Sequence, residues 1–205
     1  MEGKIIAVVG APRSGKSFLV QKLADHFKAE TFLEGEEGEF PARIEEDIKN
    51  NIRPLERILW FRTMLVDRYL KAMELREQGK TVILDVFWMS PQMFIDTLLE
   101  GFERELMWHV GRQDQKILGW PDLTIFLKVT ETSIRKFITL GGRDFDNSEE
   151  FIQKQALPVN QMHIDFFENE NAKNILTIDR DALDFERRED FNALIAKIHD
   201  RLEKA

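Results

Sequence analysis

The sequence predicts a three-layer α/β fold: a parallel sheet of about five strands with helices on both faces. Three observations carry this reading. Short apolar runs at residues 5–9, 31–33, 81–85, 123–129 and 174–179 have the length and composition of strands. Stretches with apolar residues at helical spacing separate them. A glycine loop joins the first run to the first helical stretch. Strands that alternate with helices pair in parallel through right-handed crossovers, which cover both faces of the sheet.

Each element has its own signal. Ile5-Ile6-Ala7-Val8-Val9 has no polar alternation, as expected for a strand buried on both faces. After residues 10–17, apolar positions 19, 20, 23, 24 and 27 mark a helix. Thr31-Phe32-Leu33 reads as a short strand ending at Glu34, and residues 34–39 (EGEEGE) as an acidic, glycine-broken loop. Residues 41–51 are mixed and read as helical. Pro54 opens a long helix to about Gln78, which Gly79 stops as a C′ glycine would. Thr81-Val82-Ile83-Leu84-Asp85 is a buried strand ending in a carboxylate. Ser90-Pro91 reads as N-cap and N1 of the next helix, which runs to Gly101, and a second helix reaches about Leu118. Residues 123–129 form a strand, 132–140 a helix, and 149–168 a helix that Pro158 kinks or breaks. Residues 174–179 are the last strand and 188–203 a terminal amphipathic helix.

The 205 residues suit one domain spanning 1–205. Net charge is −8, so bulk binding to a nucleic-acid polymer is not expected, although a local positive pocket can still hold a small phosphate. The lack of cysteine removes disulfide, thiol and Cys-zinc chemistry. The opening MEGKIIAVVGAPRSGKS is not read as a signal peptide, because Gly10 ends its apolar run early. No stretch approaches the roughly 18 apolar residues of a membrane span. The expectation is a soluble cytoplasmic protein with no membrane partner.

Gly10-Ala11-Pro12-Arg13-Ser14-Gly15-Lys16-Ser17 matches the phosphate-loop pattern G-x-x-x-x-G-K-[ST]. Its glycines let backbone N–H groups curl around an anion, and the helix that follows adds its positive end. Lys16 is expected on the β/γ-phosphates. The Ser17 hydroxyl suits Mg²⁺, a hard ion that takes oxygen ligands. Arg13 either adds charge near the phosphates or faces solvent. Chance alone gives this match in roughly one per cent of chains of this length.

In open parallel sheets, ligands sit beyond the carboxyl ends of the strands. Asp85 and Glu34 occupy such ends. Asp85 is expected to hold Mg²⁺ directly or through water, and Glu34 to take a proton from an attacking hydroxyl, with Glu36 as the fallback base. Arg143, in the turn Gly141-Gly142-Arg143-Asp144-Phe145-Asp146, fits a short lid that closes over the phosphates. Arg135 and Lys136 lie one helix earlier. Phe87-Trp88, Trp60-Phe61 and Trp108 are either core residues or a stacking surface for a planar base. His26, His109, His163 and His199 have no metal spacing and read as structural or exposed.

With these pieces in this order, the sequence resembles the deoxynucleoside kinases, within the nucleoside and nucleotide kinase group of P-loop proteins. Phe32-Leu33-Glu34 sits where that family has a strand ending in Glu-Pro, with Gly35 in place of Pro. Arg68 stands on the long helix as a similar Arg does in bacterial members. Val82-Ile83-Leu84-Asp85 fits the strand before the Asp-Arg-Ser motif, and Pro121-Asp122-Leu123 fits the Pro-Asp-Leu strand. Gly142-Arg143-Asp144-Phe145-Asp146 is similar to the lid, and residues 178–185 to the loop beside the ATP base. The resemblance implies a P-loop kinase fold with a lid at about 141–148, ATP and Mg²⁺ as cofactors, Glu34 as base for a sugar 5′-hydroxyl, and a homodimer built on long helices. The sequence departs from the family after Asp85, where Val86 and Phe87 replace the motif's Arg and Ser. Arg143, Arg13 and Arg62 are the candidates to substitute for that Arg. The base-reading Gln has no match among residues 58–62, and Gly141 replaces the first lid Arg.

The reaction expected is phosphoryl transfer from Mg-ATP to a small hydroxyl acceptor, foremost the 5′-hydroxyl of a deoxynucleoside. The alternatives are a kinase for a nucleoside monophosphate or another metabolite, and a nucleotide-binding regulator with impaired catalysis. A monophosphate acceptor needs extra arginines, for which Arg43, Arg53, Arg62 and Arg68 are candidates.

Overall fold

The computed structural model describes residues 2–33, 40–141, 149–169 and 174–204. The strands β1 (Ile5–Gly10), β2 (Glu30–Phe32), β3 (Val82–Asp85), β4 (Leu123–Lys128) and β5 (Ile175–Asp179) form one sheet in the order β2-β3-β1-β4-β5. Every pairing is parallel. Val8 of the central strand lies opposite Asp85 on one side and Ile125 on the other. The end of β1 is thereby held between the ends of β3 and β4, the crevice where such sheets bind ligands.

The period of two along each strand divides the core into two layers. Ile6 and Val8 point to the face covered by α1 (Lys16–Phe27) and α9 (Arg188–Glu203), where Leu19, Leu23, Leu194 and Ile198 are buried. Ile5, Ala7 and Val9 point to the opposite face, covered by α3 (Pro54–Glu77) and α8 (Leu157–Asn169) through Tyr69, Ala72 and Phe167. The remaining helices are α2 (Ala42–Lys49), α4 (Ile95–Leu98), α5 (Gly101–Leu118), α6 (Glu131–Gly141) and α7 (Glu149–Phe151). Helix α3 buries Ile58, Leu65, Tyr69 and Ala72, so its apolar stripe is used within the chain, while Leu59 and Leu70 are exposed. No helix among the described residues is long and apolar enough to cross a membrane.

Local signals explain the boundaries. Helix α3 ends in a Schellman motif: Gly79 N–H donates to the Arg76 carbonyl at 2.9 Å and Lys80 N–H to the Leu75 carbonyl at 3.0 Å. Gly79 has φ 80°, where a Cβ would be strained. The Asp122 carboxylate accepts from Ile5 N–H at 2.8 Å, so the turn before β4 also anchors the start of β1.

The structure departs from the sequence reading at Ser90 and gives the expected interruption near Pro158 a specific form. Ser90 is not an N-cap: residues Ser90–Phe94 form a 3₁₀ turn before α4, and the buried Ser90 Oγ has no partner among the described residues. The chain is drawn in there by its aromatic residues, because Phe87 and Trp88 are buried. The region of Pro158 is not one α-helix. A π turn, Ile152–Ala156, separates α7 from α8, and its wider spacing accommodates a residue that has no N–H to give.

His163 on α8 is 5% exposed, and its Nδ1 donates to the Val159 carbonyl at 2.8 Å. Burial pulls its pKa down from 6.5 to about 4, and the charge of Lys16 pulls in the same direction. The unfolded chain therefore takes up this proton first. Stability from the neutral imidazole is full above about pH 6.5 and is lost as pH falls to about 4, a difference of about 3 kcal/mol. Urea midpoints measured at about pH 7 and about pH 5 should converge for His163→Leu relative to the parent. Equal pH slopes in the two proteins would refute the assignment.

Candidate active site

The loop of residues 10–17 leaves the carboxyl end of β1 and enters α1. Gly10 has φ 150°, and a Cβ there would lie 2.8 Å from the Leu127 carbonyl oxygen and 3.1 Å from Ser14 Oγ. Only glycine lets the chain leave the ladder this close to β4. Arg13 (φ 65°) and Gly15 (φ 88°) take left-handed conformations that curl the loop, and Ser14 N–H donates to the Ala11 carbonyl at 3.2 Å. Such a curl turns successive N–H groups toward one point, and the N-terminus of α1 adds positive potential there. Gly10, Ala11 and Ser14 are buried, while Pro12, Arg13 and Gly15 are half-buried.

Lys16 is the first residue of α1 and is 9% exposed. Its Nζ donates to the Ala11 carbonyl at 3.1 Å, which folds the ammonium back over the loop. Ser17 Oγ donates to Asp85 Oδ2 at 2.5 Å. Asp85 ends β3 and is 3% exposed. The structure thus brings Asp85, 68 positions from Ser17 in sequence, to the neighbouring Lys16 and Ser17. A hydroxyl and a carboxylate side by side are a hard, oxygen-only donor pair, and they fit Mg²⁺ better than a softer metal. Among the described residues no group of three or more His, Asp or Glu side chains could enclose an ion. A cation here would complete its shell from phosphate and water.

Val86 follows Asp85 with φ 62°, which is strained for a β-branched residue and costs about 1–3 kcal/mol. Its N–H donates to the Val8 carbonyl at 3.0 Å, and the turn sends Phe87 and Trp88 into the core, each 1% exposed. Trp88 Nε1 donates to the Gly119 carbonyl at 2.9 Å. Phe87 and Trp88 are therefore core residues and present no stacking surface. Trp108 donates from Nε1 to Asp96 Oδ1 at 2.8 Å and packs beside Ile58, Leu99 and Met107. Trp60 and Phe61 are half-buried and meet Phe40 edge-on, with ring centroids 4.9–5.6 Å apart.

Glu34 and Arg143, with most of the expected lid at 141–148, lie outside the described residues. Their neighbours are described. The carbonyl of Leu33 accepts from Arg68 Nη1 at 2.5 Å. A cleft of about 460 Å³ opens there beside β2, lined by Thr31, Phe32, Leu33, Met64 and Arg68. Arg135 on α6 bonds Glu131 at 2.9 Å and Glu149 on α7 at 2.8 Å. That pair ties α6 to α7, the helices on either side of residues 142–148.

Two other candidate arginines also have internal partners. Arg53 pairs with Asp47, and its guanidinium holds that carboxyl below its usual range. Arg62 grips Asp114 on α5 with two bonds, at 2.6 and 2.5 Å. Arg180, in the 178–185 segment that the sequence matched to the loop beside the ATP base but to which it gave no individual role, lies after β5 with its guanidinium over the rings of Phe137 and Phe185 and near Gly15. Its acidic neighbours Asp179, Asp181 and Asp184 give no local sign that Arg180 itself reaches the loop of residues 10–17.

No protein-family model matches the chain, and no curated protein does. Solved structures do. Deoxyadenosine kinase from M. mycoides with the products dCMP and a flexible dCDP bound has a TM-score of 0.73 at 16% identity, covering 96% of this chain and 99% of that one. The same kinase with bound dATP has a TM-score of 0.71 at 15% identity, over 95% and 99%. With bound dCTP the values are 0.72 and 17%, over 96% and 99%. The likeness to deoxynucleoside kinases carried by the sequence motifs thus extends, as fold, over nearly the whole chain: this is the three-layer α/β architecture of those deoxyadenosine kinases.

Proposed function

We propose that the protein is an ATP-dependent kinase that phosphorylates the 5′-hydroxyl of a deoxynucleoside, giving a nucleoside monophosphate and ADP. The observation that carries the proposal is the meeting of Lys16 with the Ser17–Asp85 pair at the carboxyl ends of β1 and β3, inside a phosphate loop. Whole-chain likeness to kinases solved with deoxynucleotides bound supports it.

In this reading the acceptor oxygen attacks the γ-phosphorus of ATP. The new O–P bond forms as the bond to the β–γ bridging oxygen breaks, and ADP leaves with that electron pair. The carboxylate of Glu34 takes the hydroxyl proton. Lys16, the loop N–H groups and Arg143 hold the phosphates and spread the charge of the moving group. Ser17 and Asp85 would hold Mg²⁺, which when bound offsets phosphate charge. The protein's share is positioning and electrostatics.

Within this reading the pairing of three of the four candidate arginines supports an uncharged acceptor over a monophosphate. Arg53 and Arg62 are neutralised by Asp47 and Asp114, and Arg68 is bonded to the Leu33 carbonyl. Residues 34–39, beside the acceptor in this reading, carry four carboxylates that would repel a second phosphate.

A panel of deoxynucleosides, nucleosides and monophosphates, assayed for ADP release, tests the reaction class. Deoxynucleosides should stimulate release most. Lys16→Ala should cut kcat by about 100-fold or more while the urea midpoint stays near the parent's. Full activity in that variant, or stimulation by monophosphates alone, would sink the proposal.

Glu34→Gln should lower kcat by about 100-fold or more with little change in KM for ATP, as loss of a general base does. Asp85→Asn should raise the magnesium concentration giving half-maximal rate by about 10–100-fold. Unchanged rates in the first variant would remove Glu34 as the base. An unchanged magnesium requirement in the second would remove Asp85 from the metal site.

A further inference from the structure

Arg180 has an environment that a surface arginine lacks. Its guanidinium carbon sits 4.5 Å from the ring centre of Phe185 and 5.2 Å from that of Phe137 on α6. Its Nη1 donates to the Leu183 carbonyl, and its backbone N–H donates to the Lys128 carbonyl at 2.9 Å. Burial pulls its pKa below the usual value. Nε is buried without a partner among the described residues. That atom lies 3.6 Å, and Nη2 4.0 Å, from where a Cβ of Gly15 would stand.

Stacked arginine is weakly hydrated and held flat, so it presents a fixed charge at low entropic cost. Here the charge lies against the loop residue immediately before Lys16. It also touches three separate parts of the chain: α6, which leads into residues 142–148, the turn after β5, and the left-handed step of the phosphate loop.

We propose that Arg180 is a positioning residue of the nucleotide site: its stacked guanidinium braces Gly15 in the left-handed conformation and adds fixed positive charge beside the bound phosphates, joining α6 and the 180–185 turn to the phosphate loop. The proposal rests on the nucleotide-site part of the reading above and not on the identity of the acceptor. It differs from adenine recognition, because the guanidinium is engaged by two protein rings, at 4.5 and 5.2 Å, and by the Leu183 carbonyl.

The test uses two ligands, ATP and inorganic tripolyphosphate, titrated into the parent, Arg180→Met and Arg180→Lys by calorimetry. Arg180→Met should weaken both ligands by a similar factor, about tenfold, since the effect runs through the phosphates they share. Arg180→Lys keeps the charge but loses the flat stack, and should fall between the two. In steady state, KM for ATP should rise while KM for the acceptor stays put, a split that general loss of structure would not produce. If Arg180→Met does not fold, Arg180→Lys and Phe137→Leu, which removes one face of the stack, decide the matter in the same titrations. Unchanged tripolyphosphate affinity in a folded variant overturns the proposal, and so does a loss confined to ATP. Full rescue by lysine overturns the bracing role. Failure of the parent to bind either ligand overturns the nucleotide site itself, and this proposal with it.

Discussion

The absence of a Cβ at Gly10 is the constraint on which the site depends. Gly10 is the last residue of the central strand and is paired with Leu127, so it is still inside the ladder when the chain must turn out of it. At φ 150° the turn passes so close to the Leu127 carbonyl that any side chain would collide with it. The direction of that exit sets where α1 begins. The start of α1 in turn sets Lys16 over the loop and Ser17 against Asp85. A loop displaced by an ångström would separate a hydroxyl and a carboxylate that now lie in hydrogen-bond contact, and would scatter the N–H groups that converge on an anion.

Charge is arranged against the overall balance of the chain. The protein carries a net −8, yet the crevice at the end of β1 holds Lys16, the positive end of α1 and the stacked Arg180. The carboxylates near the site are handled differently. Asp85 is engaged by Ser17, whereas Asp47 and Asp114 are paired with arginines on or just before α3. Those pairings offset the charges of Arg53 and Arg62, while Lys16 folds back on the loop carbonyl of Ala11.

Much of the architecture was legible because its signals are local. The buried runs at β1, β3 and β4, the phosphate loop, and the Gly79 stop each follow from a few neighbouring residues. Less of the site was legible. Trp88 has the same composition signal whether it stacks on a ligand or fills a core, and only the turn at Val86 decides for the core. Ser90 looked like a cap, but the burial of Phe87 and Trp88 forces a 3₁₀ turn there first. Pro158 was read as a kink or a break, and the interruption is there, but as a π turn at Ile152–Ala156 just before it.

The sequence alone determined the elements, their order and the loop that faces a phosphate. Strand length, helical periodicity and glycine spacing act over a handful of residues, and any fold must respect them. Only the tertiary structure decided which distant side chains meet. Ser17 finds Asp85 across 68 positions, Arg62 finds Asp114 across 52, and Arg180 reaches Gly15 from beyond the last strand. These pairings arise from the sheet order β2-β3-β1-β4-β5 and from the packing of helices on it. No local pattern encodes them, because a charged side chain reads the same in sequence whether it ends in water, on a carboxylate or between two rings.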